Sequence, residues 1–293
     1  MDGILNINKA TGMTSHDVVA KIRKLLKQKR VGHAGTLDPA ASGVLPICIG
    51  QGTRVAEYLS ESGKAYRAEI RFGVVTDTYD AEGTILRTTD TSELTLERIE
   101  ETLPLFLGAQ MQSPPLYSAI KIQGQPAYKR MRAGEEITLE ARPVEIYQLQ
   151  IVAWESPVLT LAIECSKGTY IRSLAYDLGE RVGYGAYLTG LVRTRSGPFT
   201  LAESSTLEQL AQAVEQGTVA EHVLPADRAL LQYPALYLDA ETVERVLHGN
   251  AFRYEQAGAE LARIYDSSGR FLAIGAWNAE QLVWQPKKVL FSS

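Results

Sequence analysis

The segment from Lys64 to Phe72 restricts the fold more than any other, because its side chains alternate between apolar and charged. Alternation with a period of two predicts a β-strand with one face turned toward a core. The inward positions are Tyr66, Ala68, Ile70 and Phe72, and the outward ones are Arg67, Glu69 and Arg71. Tyr66 is therefore expected to be an inward-facing residue on a strand.

Helical patterns interrupt such strand patterns at irregular intervals. Thr14 and Asp17 resemble a capping box and precede apolar residues at helical spacing, which predicts a helix over 15–29. Strands interrupted by scattered helices are typical of an α+β fold, and a regular βαβ alternation is not. The other predicted helices cover 95–107, 206–216 and 240–248, with one starting near Ser173, and the other predicted strands cover 144–153, 158–165, 261–265, 271–277 and 281–284.

The length of 293 residues exceeds the roughly 100 to 150 residues of a typical domain. Leu224-Pro225 and Tyr233-Pro234 mark a plausible boundary, beyond which short strands predominate. We expect a large domain over 1–232 and a small β-rich domain over 234–293. A stretch rich in glycine and basic residues predicts a protruding loop over about 113–142.

The two cysteines, Cys48 and Cys165, are far apart and each lies in an apolar run. This pattern predicts reduced core thiols and a cytoplasmic protein. The N-terminus lacks the charged and apolar pattern of a leader, and no run of about 18 apolar residues occurs, so we expect no membrane segment.

Positive charge is concentrated at the N-terminus although the net charge is −4. Residues 1–30 hold seven Lys or Arg against two Asp. A basic stripe on an acidic body favours selective phosphate contact, although a solvated helix face explains the charge equally well. The candidate phosphate-binding residues here are Lys21, Arg23, Lys24, Lys27 and Arg30.

A single acid, Asp38, lies among small residues between the basic segment and the apolar run 44–49. The surrounding glycines match neither a P-loop nor a dinucleotide fingerprint. The four histidines and two cysteines are scattered, and the acidic turn 77–82 lacks the spacing of a calcium loop, so no metal site is predicted. No Gly-x-Ser-x-Gly occurs, and Asp38 has no acidic companion in its motif. A reaction that uses one aspartate, with neither cofactor nor metal, remains.

Three blocks of sequence resemble the TruB-type tRNA pseudouridine synthases, which isomerise uridine 55 in the T-loop. They are Gly32-His33-Ala34-Gly35-Thr36-Leu37-Asp38-Pro39, Lys64-Ala65-Tyr66-Arg67 and Gly168-Thr169-Tyr170-Ile171-Arg172. The similarity continues through Ser113-Pro114-Pro115 and Leu188-x-x-Leu191-x-Arg193 and covers residues 1 to about 200. It implies a mixed-sheet pseudouridine synthase domain followed by a PUA-like RNA-binding domain.

The resemblance also implies roles for individual residues. Asp38 would be the catalytic carboxylate, either attacking C1′ or removing a sugar proton, and Arg172 its partner. Tyr66 would stack on uracil, Tyr170 and Leu191 would line the base pocket, and His33 would help to hold the uridine out of its stack. Simpler roles remain open: an Asx turn for Asp38, core packing for Tyr66 and Leu191, and a structural role for His33.

The partner that the resemblance implies is the T-stem-loop of tRNA, bound by a monomer with no protein partner. Basic residues of the protruding loop would join the N-terminal ones on the phosphates: Lys121, Lys129, Arg130 and Arg132. Two alternatives stay open: a non-catalytic tRNA-folding chaperone, and a pseudouridine synthase that acts on another RNA.

Overall fold

The computed structural model describes residues 1–118, 120–122, 124–132, 135, 137–255 and 259–290. Side chains are described for these residues except at positions 121, 122, 126, 128, 129 and 132. Three predicted phosphate contacts, Lys121, Lys129 and Arg132, therefore lie outside the described side chains. Within the described chain, no helix has the length and apolar character needed to cross a membrane.

Strands are distributed along the whole described chain. Up to residue 126 they are β1 Gly3–Lys9, β2 Val31–His33, β3 Ser42–Ile49, β4 Lys64–Phe72, β5 Val74–Thr76, β6 Ile85–Thr88, β7 Gly108–Gln112, β8 Lys121–Ile122 and β9 Gln125–Pro126. After it they are β10 Arg142–Glu155, β11 Val158–Cys165, β12 Ala186–Ser196, β13 Phe199–Thr200, β14 Val223–Leu224, β15 Ala235–Leu238, β16 Leu261–Asp266, β17 Phe271–Asn278 and β18 Val283–Val289.

Helices lie between these strands without a regular alternation. They are α1 Ser15–Leu26, α2 Ala56–Glu61, α3 Leu96–Thr102, α4 Ala127–Arg132, α5 Ile171–Val182, α6 Leu207–Gln216 and α7 Ala240–Leu247. The predicted capping box forms at the start of α1: Thr14 accepts from the backbone N–H of Asp17, and Asp17 accepts from that of Thr14. Lys27 ends α1 in the left-handed conformation.

The large sheet has ten strands in the order β14-β1-β3-β12-β4-β11-β10-β7, with β13 beside β12 and β2 beside β3. Its pairs are antiparallel except β3 with β12, which run parallel. The mixed sheet and scattered helices confirm the predicted α+β class. Strand β4 has the predicted bounds, and Tyr66 is 8% exposed.

Neighbouring side chains of β1 and β3 point into different cores, so this part of the sheet is covered on both faces. Leu5 and Leu45 join a cluster that includes Val18 and Ile22 of α1 and Leu174 of α5. Ile4 and Val44 join a second cluster on the other face. The second cluster also contains residues far along the chain, such as Leu261 and Leu290.

The chain after residue 234 forms a four-stranded sheet in the order β15-β16-β17-β18, with α7 packed against it. Apolar side chains of this sheet share the second cluster with Tyr58, Leu59 and Ala229. Lys288 of β18 forms an ion pair with Glu57 of α2 and donates to the carbonyl of Arg54. The sheet is therefore anchored on the segment that connects β3 to β4.

The local predictions differ from the structure at a few boundaries. Helix α5 begins at Ile171, two residues before the predicted start, with Tyr170 at its N-cap position. The segment predicted as a helix over 95–107 is divided between α3 and a 3-10 turn at Leu103–Phe106, because Pro104 cannot donate a helical hydrogen bond. The last strand starts at Val283, two residues later than expected.

Candidate active site

The turn that carries Asp38 follows β2 and precedes β3, and backbone contacts fix it on both sides. Ser15, the first residue of α1, exchanges two hydrogen bonds with the backbone of Leu37, at 2.9 and 3.1 Å. The carbonyl of Asp38 accepts from the N–H of Ala41, and Lys9 donates to the carbonyl of Pro39 at 3.4 Å. The acidic side chain therefore extends from a constrained backbone.

Two glycines allow the turn to take this course. Gly35 has φ +87°, a conformation that side chains with a Cβ rarely adopt. Gly43 has φ +103°, and a Cβ there would lie 2.3 Å from the carbonyl oxygen of Arg193. The small residues of the motif thus serve a tight turn and a close approach to β12.

Arg172, in the first turn of α5, forms an ion pair with Asp38. Its Nε is 2.9 Å from Oδ2 of Asp38, and the side chains are 7% and 39% exposed respectively. Nε has no hydrogen-bond partner despite this distance, so the contact is an ion pair that lacks hydrogen-bond alignment. A buried cation therefore faces a carboxylate that remains open to the cavity.

Asp80 is a second acid at Arg172. The sequence predicts only a turn at this residue. Its Oδ2 lies 3.4 Å from Nη1 of Arg172, and its side chain is 13% exposed. Arg172 also donates to the carbonyls of Thr78 and Tyr117, at 3.2 and 3.1 Å. Tyr79 next to Asp80 accepts from the N–H of Leu188, which attaches this turn to β12.

The missed residue had a weak signal in the sequence. The spacing of Asp77, Asp80 and Glu82 does not match a calcium loop, and no other motif in the sequence includes these acids. No periodicity relates Asp80 to Asp38, because the two acids share Arg172 only in the folded chain, where the turn that holds Asp80 is bound to β12.

A cavity of ≈ 230 Å³ opens at Asp38. This is smaller than the roughly 300 to 1,000 Å³ of pockets that hold drug-sized ligands, so it suits a small group. Four residues predicted from the sequence line it together with Asp38: Tyr66, Tyr170, Arg172 and Leu191. Gly35, Thr36, Leu37, Ser60, Lys64, Gly168, Thr169, Ile171 and Arg193 complete the lining.

The two tyrosines of the cavity keep their protons over the neutral range. Burial is the main cause that raises the pKa of Tyr66, while the charge of Arg193 opposes it. Burial also raises the pKa of Tyr170, and a hydrogen bond with Ser118 opposes that change. The side-chain amide of Gln112 binds the backbone of Tyr170: it accepts from the N–H at 2.8 Å and donates to the carbonyl at 3.0 Å.

Lys64, two residues before Tyr66, was not predicted to belong to the site. It is buried and donates to the carbonyls of Ser60 and Ser62. Burial lowers its pKa to about 8. Its place in the lining comes from the strand that also delivers Tyr66.

His33 lies outside the cavity lining, at the end of β2. Its ring contacts that of His16 edge to face, with centroids 5.3 Å apart. Its buried Nδ1 has no hydrogen-bond partner, and burial lowers its pKa, with the charges of His16 and Arg193 adding to the effect. The structure therefore places His33 beside the Asp38 turn and not within the cavity.

The predicted phosphate-binding residues of the N-terminal segment, Lys21, Arg23, Lys24, Lys27 and Arg30, are all exposed. Two of them also have structural contacts: Arg23 donates to the carbonyl of Val31, and Arg30 donates to the hydroxyl of Thr53. Arg130 forms an ion pair with Glu135. Among the described residues, no three side chains of His, Cys, Asp or Glu are grouped as a metal site requires.

Comparison with known proteins agrees with this geometry. Residues 23–171 match the family model described as TruB family pseudouridylate synthase, N-terminal domain. Residues 172–231 match the tRNA pseudouridylate synthase B C-terminal domain, and residues 234–290 match Pseudouridine synthase II TruB, C-terminal. The expected resemblance is confirmed, and the chain belongs to the TruB family of pseudouridylate synthases.

Curated relatives match over nearly the whole chain. The tRNA pseudouridine synthase B of Dehalococcoides mccartyi is 43% identical over 293 residues, which cover 100% of this chain and 97% of that protein. The tRNA pseudouridine synthase B of Clostridium kluyveri is 43% identical over 280 residues, which cover 94% and 95%.

Solved structures share the fold. A chain of a Cbf5-Nop10-Gar1 complex has a TM-score of 0.77 and 27% identity, covering 99% of this chain and 85% of its own length. A chain of an H/ACA RNP bound to a substrate RNA containing 2′-deoxyuridine has a TM-score of 0.76 and 25% identity, with the same coverages.

Proposed function

We propose that this pseudouridylate synthase isomerises uridine 55 in the T-loop of tRNA, with Asp38 as its single catalytic carboxylate. The observation that carries the proposal is the Asp38–Arg172 ion pair at the floor of a cavity lined by Tyr66, Tyr170 and Leu191. The curated relatives are named as tRNA pseudouridine synthases, which supports tRNA as the substrate.

The reaction breaks the N1–C1′ bond of uridine and forms a C5–C1′ bond, so that the base is detached, turned and kept. The proton on C5 leaves, and N1 gains one, so the product is an isomer. Asp38 would either attack C1′ or remove a sugar proton, and Arg172 keeps its carboxylate oriented toward the cavity. A small cavity would retain the free base between the two steps once the bound RNA covers its opening.

The other residues would bind the base and the RNA. Tyr66 offers a ring on which uracil can stack, and base–aromatic stacking contributes about 1 to 3 kcal/mol per base. His33 lies at the end of β2, before the Asp38 turn, and its side chain would replace contacts that the extruded uridine loses. Lys21, Lys24 and Lys27 would contact phosphates, and the sheet after residue 234 would bind RNA as a PUA-like domain.

The test incubates the purified protein with unmodified tRNA, without added metal or nucleotide, and maps pseudouridine site by site. We expect conversion at position 55 only, and no conversion in a tRNA with cytidine at that position. Asp38→Asn should bind this tRNA with an unchanged Kd and leave uridine 55 unmodified. Full conversion by Asp38→Asn would refute the catalytic assignment.

The alternatives give different results in the same experiment. A tRNA-folding chaperone would bind tRNA without modifying it, and Asp38 would be dispensable. A synthase for another RNA would leave tRNA unmodified but convert uridines in a pool of total cellular RNA.

A further inference from the structure

Arg193 is a buried arginine in the lining of the cavity. The proposed function gives this residue no role. It is 1% exposed and lies on β12, directly opposite Tyr66 on β4. Burying a guanidinium is costly unless its donors are satisfied. The acceptors of a buried arginine therefore indicate which part of the structure it stabilises. The residues that it holds belong to the Asp38 turn.

Each nitrogen of the Arg193 guanidinium donates to a different backbone carbonyl. Nε donates to Val44 at 2.7 Å, Nη1 to Thr36 at 3.2 Å and Nη2 to Gly35 at 3.1 Å. Gly35 and Thr36 precede Asp38, and Val44 follows it. One planar group therefore joins both ends of the turn that presents the carboxylate.

The backbone of Arg193 reinforces this contact. Its carbonyl oxygen lies so close to Gly43 that a Cβ there would be only 2.3 Å away. Strands β3 and β12 pair in parallel at this point, through Arg193 and Gly43. The turn is thus attached to β12 by both the main chain and the side chain of one residue.

Arg193 also acts on the aromatic side of the cavity. Arg193 and Tyr66 lie opposite each other on β12 and β4 and both line the cavity, and the charge of Arg193 lowers the pKa of Tyr66 against the larger effect of burial. The guanidinium therefore binds the acidic turn, and the same residue lies opposite Tyr66 in the sheet.

We propose that Arg193 is a positioning residue that holds the Asp38 turn and Tyr66 in the relative geometry that isomerisation requires. This inference rests on the proposed function. A lysine cannot replace the arginine, because an ammonium is a point donor and cannot reach three carbonyls that surround a planar fork. Displacing a reacting group by about 1 Å can reduce a rate on the order of 100-fold.

The experiment compares Arg193→Lys with wild type in single-turnover isomerisation of unmodified tRNA at saturating enzyme. We expect the rate to fall about 100-fold while the Kd for tRNA changes less than about twofold, since Arg193 is 1% exposed and its donors are used by the turn. Amide hydrogen exchange should become faster in residues 35–44 and stay unchanged in β10, β11 and α5.

Arg195→Lys is the matched control. Arg195 lies on the same strand, but its guanidinium pairs with Glu164 of β11. Its rate and exchange pattern should equal those of wild type. Arg193→Gln provides a second variant if Arg193→Lys does not fold, and it should show the same split between rate and Kd.

Three outcomes would overturn the inference. These are a wild-type rate in folded Arg193→Lys, a Kd that weakens in parallel with the rate, and faster exchange throughout the chain, which would indicate a purely structural role. Failure of the proposed function looks different, because wild-type protein itself would then leave uridine 55 unmodified.

Discussion

Nε of Arg172 lies 2.9 Å from Oδ2 of Asp38, and the arginine is buried whereas the carboxylate faces the cavity. The guanidinium is also held by the carbonyls of Thr78 and Tyr117 and by the carboxylate of Asp80. Its orientation is therefore fixed by three segments other than its own helix. The position of Asp38 depends on a cation that cannot rotate away.

Arg172→Lys should lower the isomerisation rate about 100-fold with little change in the Kd for tRNA. A lysine can pair with one carboxylate but loses the fork that spans Asp38, Asp80 and two carbonyls. Single-turnover kinetics and filter binding measure the two quantities. Arg181→Lys, exposed on the same helix, is the control, and equal losses in both variants would contradict the assignment.

Asp80→Asn should lower the rate by a smaller factor, about tenfold, because Arg172 keeps its ion pair with Asp38 but loses a second anchor. Asn can still accept the hydrogen bonds from Thr78 and Glu82 that shape the turn. Asp77→Asn is the matched control, since Asp77 accepts from Thr84 in the same turn and is not paired with Arg172. A rate equal to wild type in Asp80→Asn would show that the second carboxylate is unnecessary.

Local sequence patterns predicted the structural features that depend on residues close together in the sequence. The capping box of α1, the bounds of β4 and the inward position of Tyr66 follow from spacing alone. Strand β12 gave no clear signal, because its side chains alternate poorly and it includes a bulge near Gly190. Consequently the sequence predicts no role for Asp80 and Arg193, which β12 brings to the site, and only the resemblance assigns Leu191 of the same strand.

The surroundings of Arg172 also could not be predicted from local sequence patterns. The sequence placed it at the start of a helix, where a cation is mildly unfavourable, and the resemblance paired it with Asp38. Its burial and its bonds to Thr78 and Tyr117 depend on tertiary contacts that no local pattern contains.

The exposed lysines at the C-terminal end of α1 and at its cap provide a test of phosphate contact. Lys24→Ala and Lys27→Ala should each weaken tRNA binding and reduce the slope of log K against log salt concentration by about 0.7 to 0.9. The rate at saturating tRNA should not change, because phosphate contacts position the RNA without touching the base. Glu215→Ala, on α6, is a control of opposite charge, and unchanged slopes in both lysine variants would assign these residues to a solvated face.

The two cysteines should resist modification in the folded protein. Burial raises the pKa of Cys48 to about 12 and that of Cys165 to about 11, so the reactive thiolate is scarce at pH 8. A chromogenic disulfide reagent at that pH should label neither thiol in native protein and both in denaturant. Rapid labelling of native protein would show that one core opens easily.

Tyr66→Phe removes the hydroxyl and keeps the ring, so it distinguishes the contributions of the two groups. The ring face remains, so the Kd for tRNA should stay within about twofold, whereas loss of stacking in Tyr66→Ala should weaken binding by about 1 to 3 kcal/mol. Because the pKa of Tyr66 is raised above its ordinary value, its hydroxyl is protonated throughout the neutral range. The ratio of wild-type to Tyr66→Phe rates should therefore stay constant from pH 6 to about 9, below the ordinary tyrosine pKa of about 10.

The groups that bear on this titration are Arg193, Cys165 and Asp38. The raised pKa also has a consequence for stability: the contribution of Tyr66 is fully present below about pH 10, where an unfolded tyrosine begins to ionise, and is lost as the pH rises further. A rate ratio that increases about tenfold per pH unit between pH 6 and 9 would mean that the tyrosinate is the active form. The increase would continue to pH 9 because the raised pKa keeps the tyrosinate the minor form over this whole range.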